Sequence, residues 1–264
     1  MNSALGFIED VLRHVSSQIQ KLCVKPKATY TDIKGYLAEA DICAHETMVS
    51  RIKKQFPSDM ICSEEDSLVK RDFIKKRMNV RTWILDPICG TTNYVKGLPF
   101  YTHAMSMIDN DRVSAAGIFN PCMNEMFLAD RELTTLNKMP VKVSDVKKLN
   151  EAMIYINLNL SDNEVCQQEL RDMVDLLAPP VTRRIRIMES ANLELAYISC
   201  GRIDGYVNRD DKIWDMAAGS LMIASAGGMT YALKGDIHQL DCRGIAAGNK
   251  YIAPILKSMI TRKG

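Results

Sequence analysis

The stretch that organises this chain is WILDPICGTTNY, residues 83–94. It begins with apolar residues typical of a buried strand, is interrupted by Pro87, and turns through Gly90 into two threonines. A strand that ends in such a turn is typical of a loop that binds phosphate and metal, because N–H groups at a helix start are unsatisfied. Asp86 and Cys89 lie inside it as one hard and one soft candidate ligand.

The residues before this stretch predict two helices joined by a loop. Residues 3–24 show apolar side chains at helical spacing, and so do residues 40–56, where the pattern stops at Pro57. Asp41 lies at the start of that second helix. The segment KPKATYTDIKGY, residues 25–36, mixes Pro, Gly and Thr without a steady period, which predicts a loop.

The residues after it predict two different kinds of sheet. Short apolar segments from residue 60 to about 130 alternate with turn residues and predict a mostly antiparallel sheet. After about residue 140, strands alternate with helices, and a last helical pattern runs from Trp214 to Gly227. We expect one layered α/β domain over residues 1–264, with an N-terminal lobe of about 1–140 and a C-terminal lobe of about 141–264.

Composition narrows the possible functions. The net charge of +2 over 264 residues does not indicate a nucleic-acid binder, and the basic runs at 69–81 and 183–186 fit solvated surfaces. No apolar run approaches the roughly 18 residues that span a membrane. The eight cysteines show no CxxC spacing, which disfavours a zinc ribbon or a disulfide framework. These features predict a soluble cytoplasmic protein without nucleic-acid or membrane partners.

Five carboxylates stand where a predicted strand ends or a predicted helix begins: Asp41, Glu64, Glu65, Asp86 and Asp215. Taken singly, each fits a structural role, because aspartate caps helix starts and an acidic pair fits an exposed turn. Strand ends and helix starts can also direct side chains into one shared cleft. Together the five indicate a site of oxygen ligands for a hard cation.

The order of these motifs resembles the inositol monophosphatase family of lithium-sensitive, magnesium-dependent phosphomonoesterases. Five segments carry the resemblance: AEAD at 38–41, SEED at 63–66, WILDPICGTTNYVKGLPF at 83–100, ESANLELAYISCGRIDGY at 189–206 and WDMAAGSLMIASAGG at 214–228. The third and fifth match the family's DPxDGTxN and WDxAAG motifs. The resemblance implies an αβαβα sandwich of the inositol monophosphatase and fructose-bisphosphatase type, commonly assembled as a homodimer.

The resemblance also implies two magnesium ions. Glu64, Asp86 and the backbone carbonyl of Ile88 match the ligands of the first ion. Asp86 and Asp215 match ligands of the second ion, together with position 89. Such a pair of ions hydrolyses phosphate esters by lowering the pKa of the attacking water and stabilising the leaving alkoxide.

Roles in catalysis and substrate binding carry over in the same way. Asp41, Glu65 and Thr91 match the residues that orient or activate the nucleophilic water. The turn residues Gly90, Thr91 and Thr92 match the phosphate cradle. The positions that line the substrate are Glu189, Ser190, Ala191 and Asn208.

Three positions depart from the family pattern. Position 89 holds a metal-ligand aspartate in the family and is Cys89 here, a soft ligand that manganese, cobalt or zinc accepts more readily than magnesium. Glu189 stands where the family usually has glycine, and Asn208 stands where inositol-specific members have glutamate. The second ion position is also the one to which lithium inhibition is attributed in this family.

The expected activity is metal-dependent hydrolysis of a small phosphomonoester, most simply an inositol or sugar phosphate. Two alternatives stay open. One is a nucleotide 3'-phosphatase of the same superfamily. The other is a catalytically impaired relative that acts as a binding or regulatory protein, with Cys89 as a buried apolar residue in a site that no longer works.

Overall fold

The computed structural model describes residues 4–22, 28–31, 35–65, 80–157, 164–234 and 243–261. Its helices are α1 (Ala4–Leu22), α2 (Glu39–Gln55), α3 (Thr91–Lys96), α4 (Glu164–Leu177), α5 (Ala191–Ser199), α6 (Ile213–Ser225) and α7 (Ile252–Thr261), with a short 3-10 helix at Leu149–Glu151. The helices predicted from periodicity are confirmed. Within these residues no helix is both long enough and apolar enough to cross a membrane.

The larger sheet has seven strands in the order β3-β4-β5-β6-β7-β8-β9. Their bounds are β3 Met60–Ser63, β4 Thr82–Cys89, β5 Thr102–Asp109, β6 Arg112–Asn120, β7 Glu125–Asp130, β8 Thr134–Leu136 and β9 Met139–Pro140. Only the β3–β4 pair is parallel, and the remaining pairs are antiparallel. The predicted mostly antiparallel sheet is confirmed.

The smaller sheet has five strands in the order β11-β10-β12-β14-β13. Their bounds are β10 Met153–Ile156, β11 Arg184–Arg186, β12 Gly205–Asn208, β13 Gly228–Lys234 and β14 Arg243–Asn249. Strand β10 pairs in parallel with β11 and β12, while β14 runs antiparallel to β12 and β13. All of its strands follow residue 140, as the alternating pattern predicts.

The hydrophobic clusters arrange these elements as five layers. Helices α1 and α2 cover one face of the larger sheet around Trp83 and Met105. Helices α5 and α6 lie between the sheets, against Phe127 on one side and Tyr206 on the other. Helices α4 and α7 cover the outer face of the smaller sheet around Ile154. The expected αβαβα sandwich is confirmed.

One local expectation is wrong. The segment predicted as a loop contains a two-stranded antiparallel ribbon, β1 (Ala28–Thr31) and β2 (Gly35–Ala38), with Ala28 opposite Ala38. The sequence pattern suggested a loop because neither strand is long enough to show a period. Threonine and tyrosine favour extended backbone, and cross-strand pairing stabilises strands that are too short to be recognised singly.

The contact between α5 and α6 leads to a stability prediction. A Cβ added at Gly219 would lie 2.3 Å from Leu195 Cβ and 2.7 Å from its Cδ1. Alanine stabilises a helix by about 1 kcal/mol relative to glycine, but overpacking of this kind costs about 1–3 kcal/mol. We expect Gly219→Ala to lower the melting temperature by up to about 8 °C in calorimetry.

The exposed Ala224 of the same helix provides the control. Ala224→Gly removes only helix propensity, about 1 kcal/mol, and changes no contact between helices. A melting temperature that rose in Gly219→Ala would show that α5 and α6 can separate without loss, contrary to the packing described above.

Candidate active site

A bulge in β4 brings the central motif into the cleft. Asp86 pairs with Ala104 and Cys89 pairs with Thr102, so an interval of three residues on β4 lies opposite an interval of two residues on β5. Pro87 has no N–H to donate to the ladder, which suits it to a bulge. The Pro87 carbonyl instead accepts a hydrogen bond from His103 Nδ1 at 2.6 Å, and burial lowers the pKa of His103 to about 4, so the imidazole is neutral.

Gly90 turns the chain from β4 into α3 at a place where only glycine fits. Its φ of +93° lies in the left-handed region, and an added Cβ would lie 2.9 Å from the Phe100 carbonyl oxygen and 3.1 Å from that of Glu189. The turn therefore lies directly against residues 189–190, although about a hundred positions separate them in sequence. This contact brings the predicted phosphate cradle and part of the predicted substrate wall together.

Thr91 and Asp41 form the most clearly defined polar pair of the site. The Thr91 hydroxyl lies 2.9 Å from Asp41 Oδ1 and 3.1 Å from the Ile88 carbonyl oxygen, and it can donate its single hydrogen to either. Asp41 is 1% exposed, at the start of α2. Two of the three residues predicted to serve the water are thus in direct contact, and Glu65 lies partly buried at the end of β3.

Three carboxyl groups lie close enough to affect one another's ionisation. Burial raises the pKa of Glu64 well above its usual value, and the charges of Asp86 and Asp215 raise it further. Burial and the charge of Asp215 likewise raise the pKa of Asp86, offset in part by hydrogen bonds from Cys89 and Asn192. Burial also raises the pKa of Asp215 to about 6. The structure therefore concentrates negative charge that a cation would stabilise.

The first predicted ion position has suitable ligands. Asp86 Oδ1 is buried without a hydrogen-bond partner. Glu64 directly follows β3, and its N–H donates to the Leu85 carbonyl oxygen at 3.2 Å, which holds it beside the end of β4. With the Ile88 carbonyl, these residues offer only oxygen, which magnesium prefers. No group of three or more His, Cys, Asp or Glu side chains in the described residues is already gathered to hold a metal.

The second predicted position does not fit a hard cation. Cys89 is 6% exposed, and burial together with the charges of Asp86 and Asp215 raises the pKa of its thiol, so it is neutral at neutral pH. Asp86 Oδ2 accepts a hydrogen bond from Asn192 Nδ2 at 2.8 Å, and Asp215 Oδ2 accepts one from the Lys212 N–H at 2.7 Å. The Cys89 thiol is therefore protonated, and one carboxylate oxygen of Asp86 and one of Asp215 already accept a hydrogen bond.

The predicted substrate residues fall into two groups. Ser190 is fully buried and its hydroxyl donates to the Cys89 carbonyl at 3.0 Å, while Ala191 is also buried. Glu189 is partly exposed with a φ of +57°, and Thr92 is partly exposed on α3. Asn208 is 2% exposed; its amide donates to Asp211, and its Oδ1 accepts from the Asp210 N–H at 3.0 Å. The polar atoms of Asn208 are thus used within the protein.

Sequence reasoning missed two buried polar residues in α5. Asn192 contacts Asp86, as described above. Glu194 is 1% exposed, accepts a hydrogen bond from the Met188 N–H at 3.1 Å, and has a pKa raised to about 8 by burial. It stabilises the loop that carries residues 188–190. The available signal was one asparagine and one glutamate within ANLELAYIS, an otherwise largely apolar segment.

Comparison with known proteins assigns the whole chain to one group. The model of the inositol monophosphatase family matches residues 2–262. A protein named Nus factor SuhB from Xylella fastidiosa is 31% identical over 96% of this chain and 90% of its own length. An inositol-1-monophosphatase from Rhizobium meliloti is 32% identical over 86% of this chain and 83% of its own length.

Solved structures agree with the fold. The structure of a Thermotoga maritima IMPase superposes with a TM-score of 0.80 at 27% identity, covering 96% of this chain and 94% of the other. The layered arrangement described above is therefore shared along nearly the whole length.

Proposed function

This chain belongs to the inositol monophosphatase family, and from that membership we propose that it hydrolyses a small phosphomonoester, an inositol or sugar phosphate, with a divalent cation. The observation that carries the proposal is the contact between the Thr91 hydroxyl and Asp41 Oδ1 at 2.9 Å. It lies beside the Ile88 carbonyl and the acidic centre, where a water could attack phosphorus.

The Thr91–Asp41 pair supports a role in activating water. When Thr91 donates its hydrogen to Asp41, the lone pairs of its oxygen are free to accept a hydrogen from water. As the water oxygen bonds to phosphorus, the Thr91 hydroxyl can accept a proton from the water and pass its own proton to Asp41. The ester P–O bond breaks in the same reaction, and the proton taken up by Asp41 passes through solvent water to the leaving alkoxide. Glu65 is proposed to orient the same water from the end of β3.

A cation at the first position would be held by Glu64, Asp86 and the Ile88 carbonyl. When bound, magnesium supplies positive charge that lowers the pKa of water and stabilises phosphate oxygens. Asp86 is 1% exposed and Glu64 is partly buried, so solvent screens the attraction of their carboxylates for a cation less than at an exposed site. We propose magnesium or manganese, because both accept oxygen ligands.

Substrate binding is proposed for the surface around Gly90. We propose that the N–H groups of Gly90, Thr91 and Thr92 donate hydrogen bonds to the phosphate, at a turn whose close approach to residues 189–190 requires glycine at position 90. Glu189, Ser190 and Ala191 form the adjoining wall, with Ser190 holding the loop to β4 through the Cys89 carbonyl. Asn208 keeps its polar atoms on Asp210 and Asp211, so we do not propose it as a direct substrate contact.

A regulatory role is the second candidate. A relative of 31% identity over 96% of the chain carries the name Nus factor, and the second ion position departs from a hard-ligand set. A protein of this kind would retain the fold and bind phosphate or a partner without turnover. A nucleotide 3'-phosphatase stays a further alternative.

The decisive experiment is a phosphate-release screen of inositol phosphates, sugar phosphates and nucleotide 3'-phosphates, each with Mg²⁺, Mn²⁺, Co²⁺ and Zn²⁺. We expect cation-dependent release from an inositol or sugar phosphate. Release from nucleotide 3'-phosphates alone would favour the alternative substrate. No release from any compound, combined with a melting temperature raised by phosphate, would favour the regulatory role.

Lithium provides a separate prediction. In the family, lithium inhibition is attributed to the second ion position, which Cys89 alters. We expect half-inhibition to require about tenfold more lithium than the Rhizobium meliloti relative requires in a parallel dose series, the equivalent of about 1.4 kcal/mol of binding. Equal sensitivity of the two proteins would contradict this expectation.

Assembly and location complete the proposal. We propose a homodimer in the cytoplasm, with a small phosphorylated substrate and neither nucleic acid nor membrane as partner. Among the described residues, Cys43, Cys89, Cys122 and Cys200 carry thiols that form no disulfide, which supports a reducing compartment. Light scattering after size-exclusion chromatography measures the oligomeric state.

A further inference from the structure

Asn192 lies between Asp86 on β4 and the start of α6, the helix that carries Asp215. Its Nδ2 donates to Asp86 Oδ2 at 2.8 Å and to the Trp214 carbonyl oxygen at 3.2 Å. The side chain is fully buried in the first turn of α5. Both hydrogens of the amide are therefore used to join β4 to the start of α6, which carries Asp215.

The orientation of this amide is determined by its neighbours. A rotation by 180° would place Asn192 Oδ1 against two acceptors, Asp86 Oδ2 and the Trp214 carbonyl, and both hydrogen bonds would become repulsive contacts. Asn192 Oδ1 is buried without a hydrogen-bond partner. The amide is therefore oriented by the two hydrogen bonds that its NH₂ group donates. Asp86 Oδ2 is thus held by one N–H of the Asn192 amide.

The backbone of Asn192 acts on the same place. Its N–H lies 3.4 Å from Cys89 Sγ, directed at the sulfur. Asp215 Oδ2, on the opposite side, accepts the Lys212 N–H that begins α6. A cation needs lone pairs that face it, and here N–H donors face a lone pair on each of the three side chains that the resemblance assigns to the second ion.

We propose that Asn192 takes the place of the second cation, so that this chain binds a single divalent ion through Glu64, Asp86 and the Ile88 carbonyl. The Asn192 amide directs one N–H hydrogen, with its partial positive charge, at Asp86 Oδ2, where an ion would otherwise provide positive charge. Asp86 Oδ1, which has no hydrogen-bond partner, is left for the single ion. The inference shares its ion position with the proposed function and rests on it in that respect.

Counting bound ions tests this directly, with Mn²⁺ alone as the probe. Free Mn²⁺ is measured by electron paramagnetic resonance, and the heat of binding by titration calorimetry, without substrate. We expect one Mn²⁺ per chain for the wild-type protein and for Cys89→Asp, because the new carboxylate still faces a site covered by the amide. The double variant Cys89→Asp/Asn192→Ala is expected to bind two.

The matched control is Cys89→Asp/Ser199→Ala, which truncates another buried polar side chain of α5, and it is expected to bind one ion. Circular dichroism and thermal melting verify that each variant is folded. If the first double variant does not fold, Cys89→Asp/Asn192→Ser takes its place, since serine keeps a polar group but cannot donate to both oxygens.

Three outcomes would overturn the proposal: a wild-type count of two or of zero, a count of two for Cys89→Asp alone, or a count of one for the folded double variant. A count of two in Cys89→Asp would show that only the missing carboxylate excludes the second ion. Phosphate release is measured separately, so a failure of hydrolysis does not alter the ion count, and a count of two does not exclude hydrolysis.

Discussion

Asp86→Asn is expected to lower cation-dependent phosphate release by about 10² to 10³-fold, the size typical of losing one strong electrostatic interaction at a reacting centre. The physical reason lies in the two faces of the Asp86 carboxylate. Oδ2 accepts the Asn192 amide, so an asparagine at this position would keep its oxygen there. Its NH₂ group would then replace Oδ1 and direct hydrogens at the ion position.

The measurement is steady-state phosphate release across Mg²⁺ and Mn²⁺ concentrations, together with Mn²⁺ binding. Asp175→Asn on the exposed side of α4 makes the same chemical change far from the cleft and should leave both unchanged. Turnover of Asp86→Asn within threefold of the wild-type rate would show that the cation site lies elsewhere.

Thr91→Val should reduce kcat by about a hundredfold while the KM changes little. Valine keeps the shape of threonine but has no hydroxyl, so nothing at position 91 donates to Asp41 Oδ1 or accepts a hydrogen from water. Positioned proton transfer of this kind contributes about 10² to 10⁴-fold to rates. Steady-state kinetics on the substrate found in the screen gives both constants.

Thr91→Ser is the control for this change, because serine keeps the hydroxyl and loses only a methyl group. We expect it to retain at least a tenth of the wild-type kcat. If valine and serine reduced kcat equally, the methyl group and not the Asp41 contact would be the important feature. That result would remove Thr91 and Asp41 from the chemistry.

Cys89 illustrates how a departure from a motif depends on its surroundings. By sequence it is a softer ligand in a position that otherwise carries a carboxylate. In the structure it lies against the backbone N–H of Asn192, and burial, followed by the charges of Asp86 and Asp215, raises the pKa of its thiol. Restoring the carboxylate alone is therefore expected to be insufficient for a second ion.

The sequence alone determined the elements and the family. Helices α1, α2 and α6 and the antiparallel strands follow from periodicity, because a buried stripe repeats along each element and needs no knowledge of its partner. The family motifs are contiguous, so they were recognisable without a fold. The short strands β1 and β2 were missed, since four residues are too few to show a period.

Only the tertiary structure decided which side chains meet in the cleft. Asn192 and Asp86 are 106 positions apart, and Thr91 and Asp41 are 50 positions apart. Such contacts depend on how α5 packs against β4 and how α2 enters beside the Gly90 turn, which local sequence does not specify. A buried asparagine in an apolar helix is ambiguous by itself, because the partner that satisfies it can come from any neighbouring layer. Here the partner is the carboxylate of Asp86, and that contact is the basis of the single cation that we propose for the cleft.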